Sequence, residues 1–266
     1  MPNLTGYAIT YDGVANSTIP EFICQQVTRQ LVGERRHVVA PVPGLEGGWV
    51  FPESPGMRLI KIDAAVVSTT YPVNRRVACR AVASWLEKPT MRKLIIGDEP
   101  NVFNKAILNV SPDIDEWRQK GTFSLEFLAM PYTYDTTISS SGTLTSGSSP
   151  LIATITAGGD VFTEPVIEVT APIGGTTFNA FTLNGRVFGY NTAMAAGDKI
   201  TINCISKVVT TGASIDTDID GTYNSNNLSM VGATGLFLYL LPGANTFEVS
   251  GTPGVSIVVK WRNRYR

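Results

Sequence analysis

The chain has 266 residues, of which 43% are apolar and 16% charged, with a net charge of −1. Such a length holds two ordinary domains or one large β domain, and the apolar share is enough for a packed core, which excludes global disorder. Counting charges on either side of Tyr134 gives 14 basic and 13 acidic residues before it and 7 and 9 after, so neither half has the basic excess that duplex nucleic acid demands.

Residues 4 to 40 hold strand-like segments broken by turn residues: GYAITY, FICQQVTRQLV and RRHVVA. Gln25, Gln26 and Thr28 interrupt the second, as on a strand with one exposed or interfacial face. PVPGLEGGWVFPESPG follows, with four prolines and four glycines in sixteen residues. That composition predicts a loop, and Trp49 and Phe51 predict that it packs on something. Met57 to Thr69 reads as a strand, with Ile60, Ile62, Ala64 and Val66 on one side and Lys61 and Asp63 on the other. A helix comes next, with Asn74 at its N-cap, an apolar face of Val77, Ala78, Ala81, Val82, Trp85 and Leu86, and Pro89 as its stop.

Lys93 to Ile96, the turn GDEPN, Phe103 to Val110 and Gly121 to Met130 complete an α+β unit. The last of these is the stretch around which the chain is organised. In GTFSLEFLAMPY, Phe123, Leu125, Phe127 and Ala129 alternate with polar residues and Leu128, and Pro131 is expected to end the strand. Beyond Asp135 the composition shifts to Ser, Thr and Gly, which reads as a flexible linker whose second half, with Leu151, Ala153 and Ile155 alternating, can pair as a strand. The remainder reads as all-β, from PVIEV, AFTLNGRVFGY, KITINCI, KVVT, GLFLYLL, TFEVS and SIVVKW. Asn184-Gly185 marks a hairpin, Val255, Ile257, Val259 and Trp261 form a buried face, and the strand spacing implies a β-sandwich. The expected fold class is mainly β, with a boundary between residues 134 and 135.

Chemistry is sparse. His37 is the lone histidine, sits in an apparent strand, and has no nucleophile motif beside it. Phosphate-cradling glycine loops are absent. Cys24, Cys79 and Cys204 are widely spaced and odd in number, so they form neither a disulfide framework nor a metal pair; Cys79 and Cys204 read as small buried apolar residues. Asp216, Asp218, Asp220 and Gly221 match the first half of a calcium loop, but Asn227 stands at the twelfth position and no helices flank it, so a turn with solvated aspartates is favoured. Asn-x-Ser/Thr triplets at Asn3, Asn16, Asn109 and Asn227 read as accidental, because MPNLTGYAIT lacks the form of a signal peptide. No apolar run reaches the ~20 residues of a membrane helix. The expectation is no enzyme, no cofactor, no membrane and no sequence-specific nucleic acid.

Six features in this order resemble the distal tail protein (Dit) family of long-tailed, non-contractile bacteriophages. They are Tyr11-Asp12-Gly13; the loop Val42-Pro43-Gly44-Leu45-Glu46-Gly47; a helix ending in Trp85-Leu86 before KLIIGDEPN; GTFSLEFLAMPY; GDKITI followed by Leu240-Leu241-Pro242-Gly243-Ala244-Asn245; and a basic, aromatic C-terminus. The resemblance implies a ring-forming N-terminal domain over residues 1–134, sheet-like or barrel-like with one helix, and a galectin-like β-sandwich over residues 135–266. It further implies a homohexameric ring at the virion tail tip, assembled in the host cytoplasm, that joins the tail tube protein to the tail-associated lysin or fibre. Host-binding, receptor-binding proteins attach at the periphery in such assemblies, and DNA passes through the ring. The assembly residues it points to are Pro43, Gly44, Leu45, Gly47, Trp85, Gly121, Phe123, Pro131, Tyr132, Pro242, Gly243 and Asn245.

Two departures qualify it. Short linkers between strands predict no receptor-clasping arm, and Leu45-Glu46 replaces the family's basic-acidic pair. Leu45 is expected to seat against a neighbouring subunit, so Leu45→Asp should weaken ring assembly. Strand pairing across subunits is expected along Phe22 to Leu31 and Arg35 to Val39. The competing readings are a carbohydrate-binding module, which would need exposed stacking aromatics, and a tube subunit, which the second unit argues against.

Overall fold

The computed structural model describes residues 6–19, 21–33, 38–41, 46, 48–51, 55–67, 73–110, 112–113, 115–116, 120–147, 151–211, 233–235, 237–250 and 253–266. The chain divides into two compact units, Met1–Thr136 with Arg266, and Thr137–Tyr265. It is mainly β, with one α-helix among the described residues.

The first unit contains β1 (Ile9–Tyr11), β2 (Val14–Ala15), β3 (Phe22–Arg29), β4 (Val38–Pro41), β5 (Gly48–Phe51), β6 (Arg58–Val67), α1 (Val73–Leu86), β7 (Arg92–Ile96), β8 (Val102–Val110), β9 (Asp115–Glu116) and β10 (Lys120–Asp135). Seven strands form an open sheet in the order β2-β1-β7-β8-β10-β6-β3, with β9 beside β10 and β4–β5 as a separate hairpin. These pairings are antiparallel. The alternation in β10 sets the register: Phe123 lies opposite Ala64, Leu125 opposite Ile62 and Phe127 opposite Ile60. All six side chains are buried on one face, and a slip of one residue would turn them all to the other side. The helix lays Ala78, Val82, Trp85 and Leu86 into the same core.

Several expectations change here. β10 runs through Pro131, because its register with β8 breaks between Ala129 and Thr133. A proline is tolerated in such a break, where the ladder donor is not used. The helix starts at Val73, so Asn74 lies inside its first turn and is not the cap. Val77 is 53% exposed, since it lies about 100° round the helix from Ala78 and so falls off the buried stripe. Cys79 is half-buried. The expected loop at 41–56 contains β5, which Trp49 and Phe51 join as strand residues opposite Ala40 and Val38.

The second unit contains β11 (Ser139–Thr145), β12 (Leu151–Ala157), β13 (Val166–Thr170), β14 (Thr176–Leu183), β15 (Arg186–Met194), β16 (Lys199–Asn203), β17 (Val208–Thr211), β18 (Ala233–Gly235), β19 (Gly243–Ser250), β20 (Ser256–Trp261) and β21 (Arg264–Tyr265). Two five-stranded sheets, β11-β20-β13-β16-β17 and β12-β19-β14-β15-β18, contribute to one shared core, which makes a sandwich. Phe181, Phe188 and Phe247 sit at its centre, with ring centroids 5.7 and 5.8 Å from Phe181. Val255, Ile257, Val259 and Trp261 are buried as expected.

The Ser/Thr/Gly stretch is no linker: β11 pairs with β20 and β12 with β19. Of GLFLYLL, Gly235 ends β18, whereas residues 237–241 are not a strand: Leu238 and Leu240 are fully buried, and the described backbone there makes an isolated bridge from Leu240 to Thr163. Burial alone produced the alternating pattern. Between β17, which ends at Thr211, and β18, which begins at Ala233, the chain lies outside the described residues, and so does the expectation of short linkers there.

Candidate functional site

The family-like motifs converge on two points, one in each unit. In the first, Asp12 and Gly13 both take positive φ, 52° and 78°, the pair a tight β1–β2 hairpin turn requires. The turn brings two strand carbonyls to the helix: the Trp85 indole N–H donates to Tyr11 O and Val14 O, each at 3.2 Å. The Trp85 ring meets Tyr11 and Phe22 edge-on at 6.1 and 5.5 Å. Burial, with a smaller push from Asp12, raises the Tyr11 hydroxyl above its ordinary pKa. Lys88, two residues past the end of the helix, reaches Asp12 at 3.2 Å. Helix and hairpin are thus locked together by a bond that a Phe at position 85 could not make.

Asn16, read from sequence as an accidental triplet, belongs to this point. It is buried, accepts from Ile9 N–H at 3.0 Å, and donates to Tyr7 O at 3.1 Å.

The remaining first-unit candidates lie on β10. Phe123 faces Phe22 at 6.0 Å. Gly121 sits between Val66 and Glu116, and Tyr132 falls in the same break in register as Pro131. β3 ends the sheet. Tyr7 N–H donates to Cys24 O at 3.0 Å; from Gln25 to Arg29 the outer edge of β3 has no ladder partner among the described residues. Arg29, at the end of that edge, pairs with Asp98 of the GDEPN turn at 2.5 Å and lies 3.8 Å from Glu99. Val38 and Val39, the described part of the other proposed edge, are instead paired with β5.

In the second unit Asn245 is the centre. Its side chain is fully buried. Its Nδ2 donates towards Ile155 O, Leu241 O and Gly243 O at 3.3, 2.8 and 2.9 Å. Its Oδ1 accepts from Leu241 N–H at 2.8 Å and from Asn184 Nδ2 at 2.7 Å. Gly243, at φ 91°, supplies the left-handed step that closes the LPGAN turn around this amide, with Pro242 exposed at its tip. Asn184 and Gly185 have φ 49° and 77°, as the hairpin signal predicted.

The C-terminal segment folds back on the second unit. Thr163 Oγ1 donates to Arg262 O at 2.7 Å, Gly158 N–H to Asn263 Oδ1 at 2.8 Å, and Arg264 pairs with Glu164 at 2.9 Å. Trp261 is buried, and its indole N–H donates to Asn263 Oδ1 at 3.1 Å, so it offers no stacking face. Burial pushes the Cys24 thiol up to about 11 and the Cys204 thiol up to about 12, which keeps both protonated and unreactive.

Pro43, Gly44, Leu45, Gly47, His37 and the candidate calcium ligands Asp216, Asp218 and Asp220 lie outside the described residues. Among the described residues no group of three or more His, Cys, Asp or Glu gathers as a metal site, and no helix is long and apolar enough to cross a membrane.

The family model for the C-terminal domain of siphovirus-type tail components, SPP1_Dit, matches residues 158–265. No curated protein sequence matches the chain. Among solved structures, the Dit (gp 19.1) protein of phage SPP1, presented as a paradigm of the hub adsorption apparatus in phages infecting Gram-positive hosts, aligns with a TM-score of 0.70 at 16% identity. The alignment covers 98% of this chain and 99% of that one. A chain from the baseplate of phage P2, in its activated conformation with Ca, aligns with a TM-score of 0.51 at 11% identity, over 96% and 97% of the two chains. Residues 158–265 thus match the siphovirus-type tail component C-terminal domain, and over 98% of its length the chain shares the fold of the SPP1 Dit protein.

Proposed function

We propose that this protein is a structural component of a phage tail tip, and that its first unit closes a homohexameric ring. The ring joins the tail tube to the tail-associated lysin or fibre and leaves a passage for DNA, with receptor-binding proteins attached at its periphery in the baseplate. The observation that carries this reading is the correspondence, over 98% of this chain and 99% of the other, to a protein described as a hub of the adsorption apparatus. The stretch of β3 from Gln25 to Arg29, which has no ladder partner among the described residues, supports it physically, since an edge strand offers main-chain donors and acceptors to a neighbour and cyclic symmetry closes such a head-to-tail contact. Leu45 is proposed as an apolar seat in that contact.

The role is architectural and non-catalytic. Side chains that draw notice in the sequence, Trp85, Asn184 and Asn245, are spent on holding turns in place. Electron micrographs of the purified protein test the reading: six-fold rings support it, and isolated single particles of one chain count against it.

A further inference from the structure

One end of the first-unit sheet, where β3 stops and β6 begins, holds a buried guanidinium. Arg58 opens β6 and, by alternation, shares the inward face of Ile60 and Ile62. It is 9% exposed. Its Nη2 donates to Asn104 Oδ1 at 3.3 Å, a long bond to a neutral acceptor. Its Nε is shut off from solvent with no acceptor, whereas Nη1 makes no bond and meets solvent. No carboxylate pairs with Arg58 among the described residues. Asp98 and Glu99 of the GDEPN turn are both drawn to Arg29, at 2.5 and 3.8 Å. Burial, and after it the Arg29 guanidinium, lower the Arg58 pKa, against smaller support for its charge from Glu99 and Tyr134.

A charge so placed is costly, because a buried guanidinium is ordinarily matched by a carboxylate. The surface at the same end of the sheet is apolar. Leu31 and Val32, just past β3, are 91% and 59% exposed, and Met57, next to Arg58, is 43% exposed. They belong to one place: Gln30 N–H donates to Leu59 O at 3.2 Å, and a Cβ on Gly33 would collide with Gly56 O. Exposed apolar side chains around an arginine have the composition of an interface core. The stretch of β3 from Gln25 to Arg29, with no ladder partner among the described residues, runs directly into this patch.

We propose that Arg58 is a docking point for a carboxylate of the adjoining copy of this chain, seated where Leu31, Val32 and Met57 bury against that copy. A strand laid along the β3 edge brings the neighbour to this end of the sheet. The carboxylate meets the guanidinium from the Nη1 side, and the apolar contact around it excludes water, which strengthens the pair. A free phosphate ion would satisfy the guanidinium but leave the apolar side chains in water, so the chemistry favours a protein surface. This inference rests on the proposed ring.

The test is light scattering of the purified full chain over a range of concentrations, with melting temperatures measured alongside. Leu31→Asp and Arg58→Met should each raise the concentration at which the assembly dissociates by at least about tenfold. The melting temperature separates a docking role from a structural one. Added to Leu31→Asp at concentrations where the chains are separate, Arg58→Met should leave it unchanged or raise it, because an unpaired buried charge is removed from the single chain. Assembly of the wild type that survives either substitution would overturn this inference and leave the ring standing. A wild-type chain that stays single at every concentration would remove both. A lowered melting temperature for the double variant would assign Arg58 to the fold of the single chain. Inorganic phosphate that raises the melting temperature of Leu31→Asp, but not of the double variant, would assign it to a free anion. Each of these two results would also overturn the proposal.

Discussion

The side-chain amide of Asn184 donates to the Oδ1 of Asn245 at 2.7 Å, so the turn of one hairpin is fastened to the turn at the start of β19. The bond is reinforced by the backbone on both sides: Asn184 N–H donates to Thr246 O, and Thr246 N–H donates to Asn184 Oδ1, each at 2.9 Å. Two motifs sixty-one positions apart thus form one structural element.

Removing this amide should be expensive. Asn245→Ala leaves the part-buried Leu241 N–H without its acceptor and three carbonyls short of a donor, a cost on the order of 2–4 kcal/mol in chemical denaturation. Asn245→Asp keeps the acceptor, loses the donations and should cost at least as much. A double-mutant cycle with Asn184→Ala should show coupling of about 1–3 kcal/mol; strictly additive effects would mean that the two turns are independent.

Trp85→Phe keeps an aromatic ring in the first core but removes the donation to Tyr11 O and Val14 O. Stability should fall by about 1–3 kcal/mol, and amide exchange in the β1–β2 hairpin should quicken before exchange in β6 and β10. Unchanged hairpin protection would show that ring packing alone holds the helix.

The thiols give the protein an alkaline limit. Burial raises Cys204 from its ordinary 9.0 to about 12, outweighing the downward pulls of the Leu238 backbone hydrogen bond and Lys207. The unfolded chain releases this proton near pH 9, whereas the folded chain holds it. Stability is therefore full below about pH 9 and declines as pH rises through about 12, by up to about 1.4 kcal/mol per pH unit. Cys204→Ala should flatten that decline between pH 9 and 11 in urea melts. An unaltered slope would place the titrating group elsewhere.

Much of the fold was legible because burial writes a period into the sequence. Phe123, Leu125 and Phe127 declared β10, and Asn184-Gly185 declared its hairpin. Burial without a ladder writes the same period, which is why residues 237–241 looked like a strand. The converse failure is Ser139 to Thr145, whose half-exposed edge position leaves no apolar alternation to read. Pro131 misled because a proline shows where a donor is missing, not whether the ladder needed one there.

The candidate sites were legible as motifs but not as contacts. Trp85 and Tyr11-Asp12-Gly13 were each marked, yet nothing in the sequence joins an indole to carbonyls seventy-four and seventy-one positions away. Asn16 carried no signal beyond a triplet that pointed to the wrong chemistry.

The mass of the purified full chain in solution, followed by light scattering over a wide range of concentrations, bears most directly on the proposed ring. A species of six times the 28.6 kDa chain, holding that mass as concentration changes, is the expected result. A mass of a single chain at every concentration would contradict it.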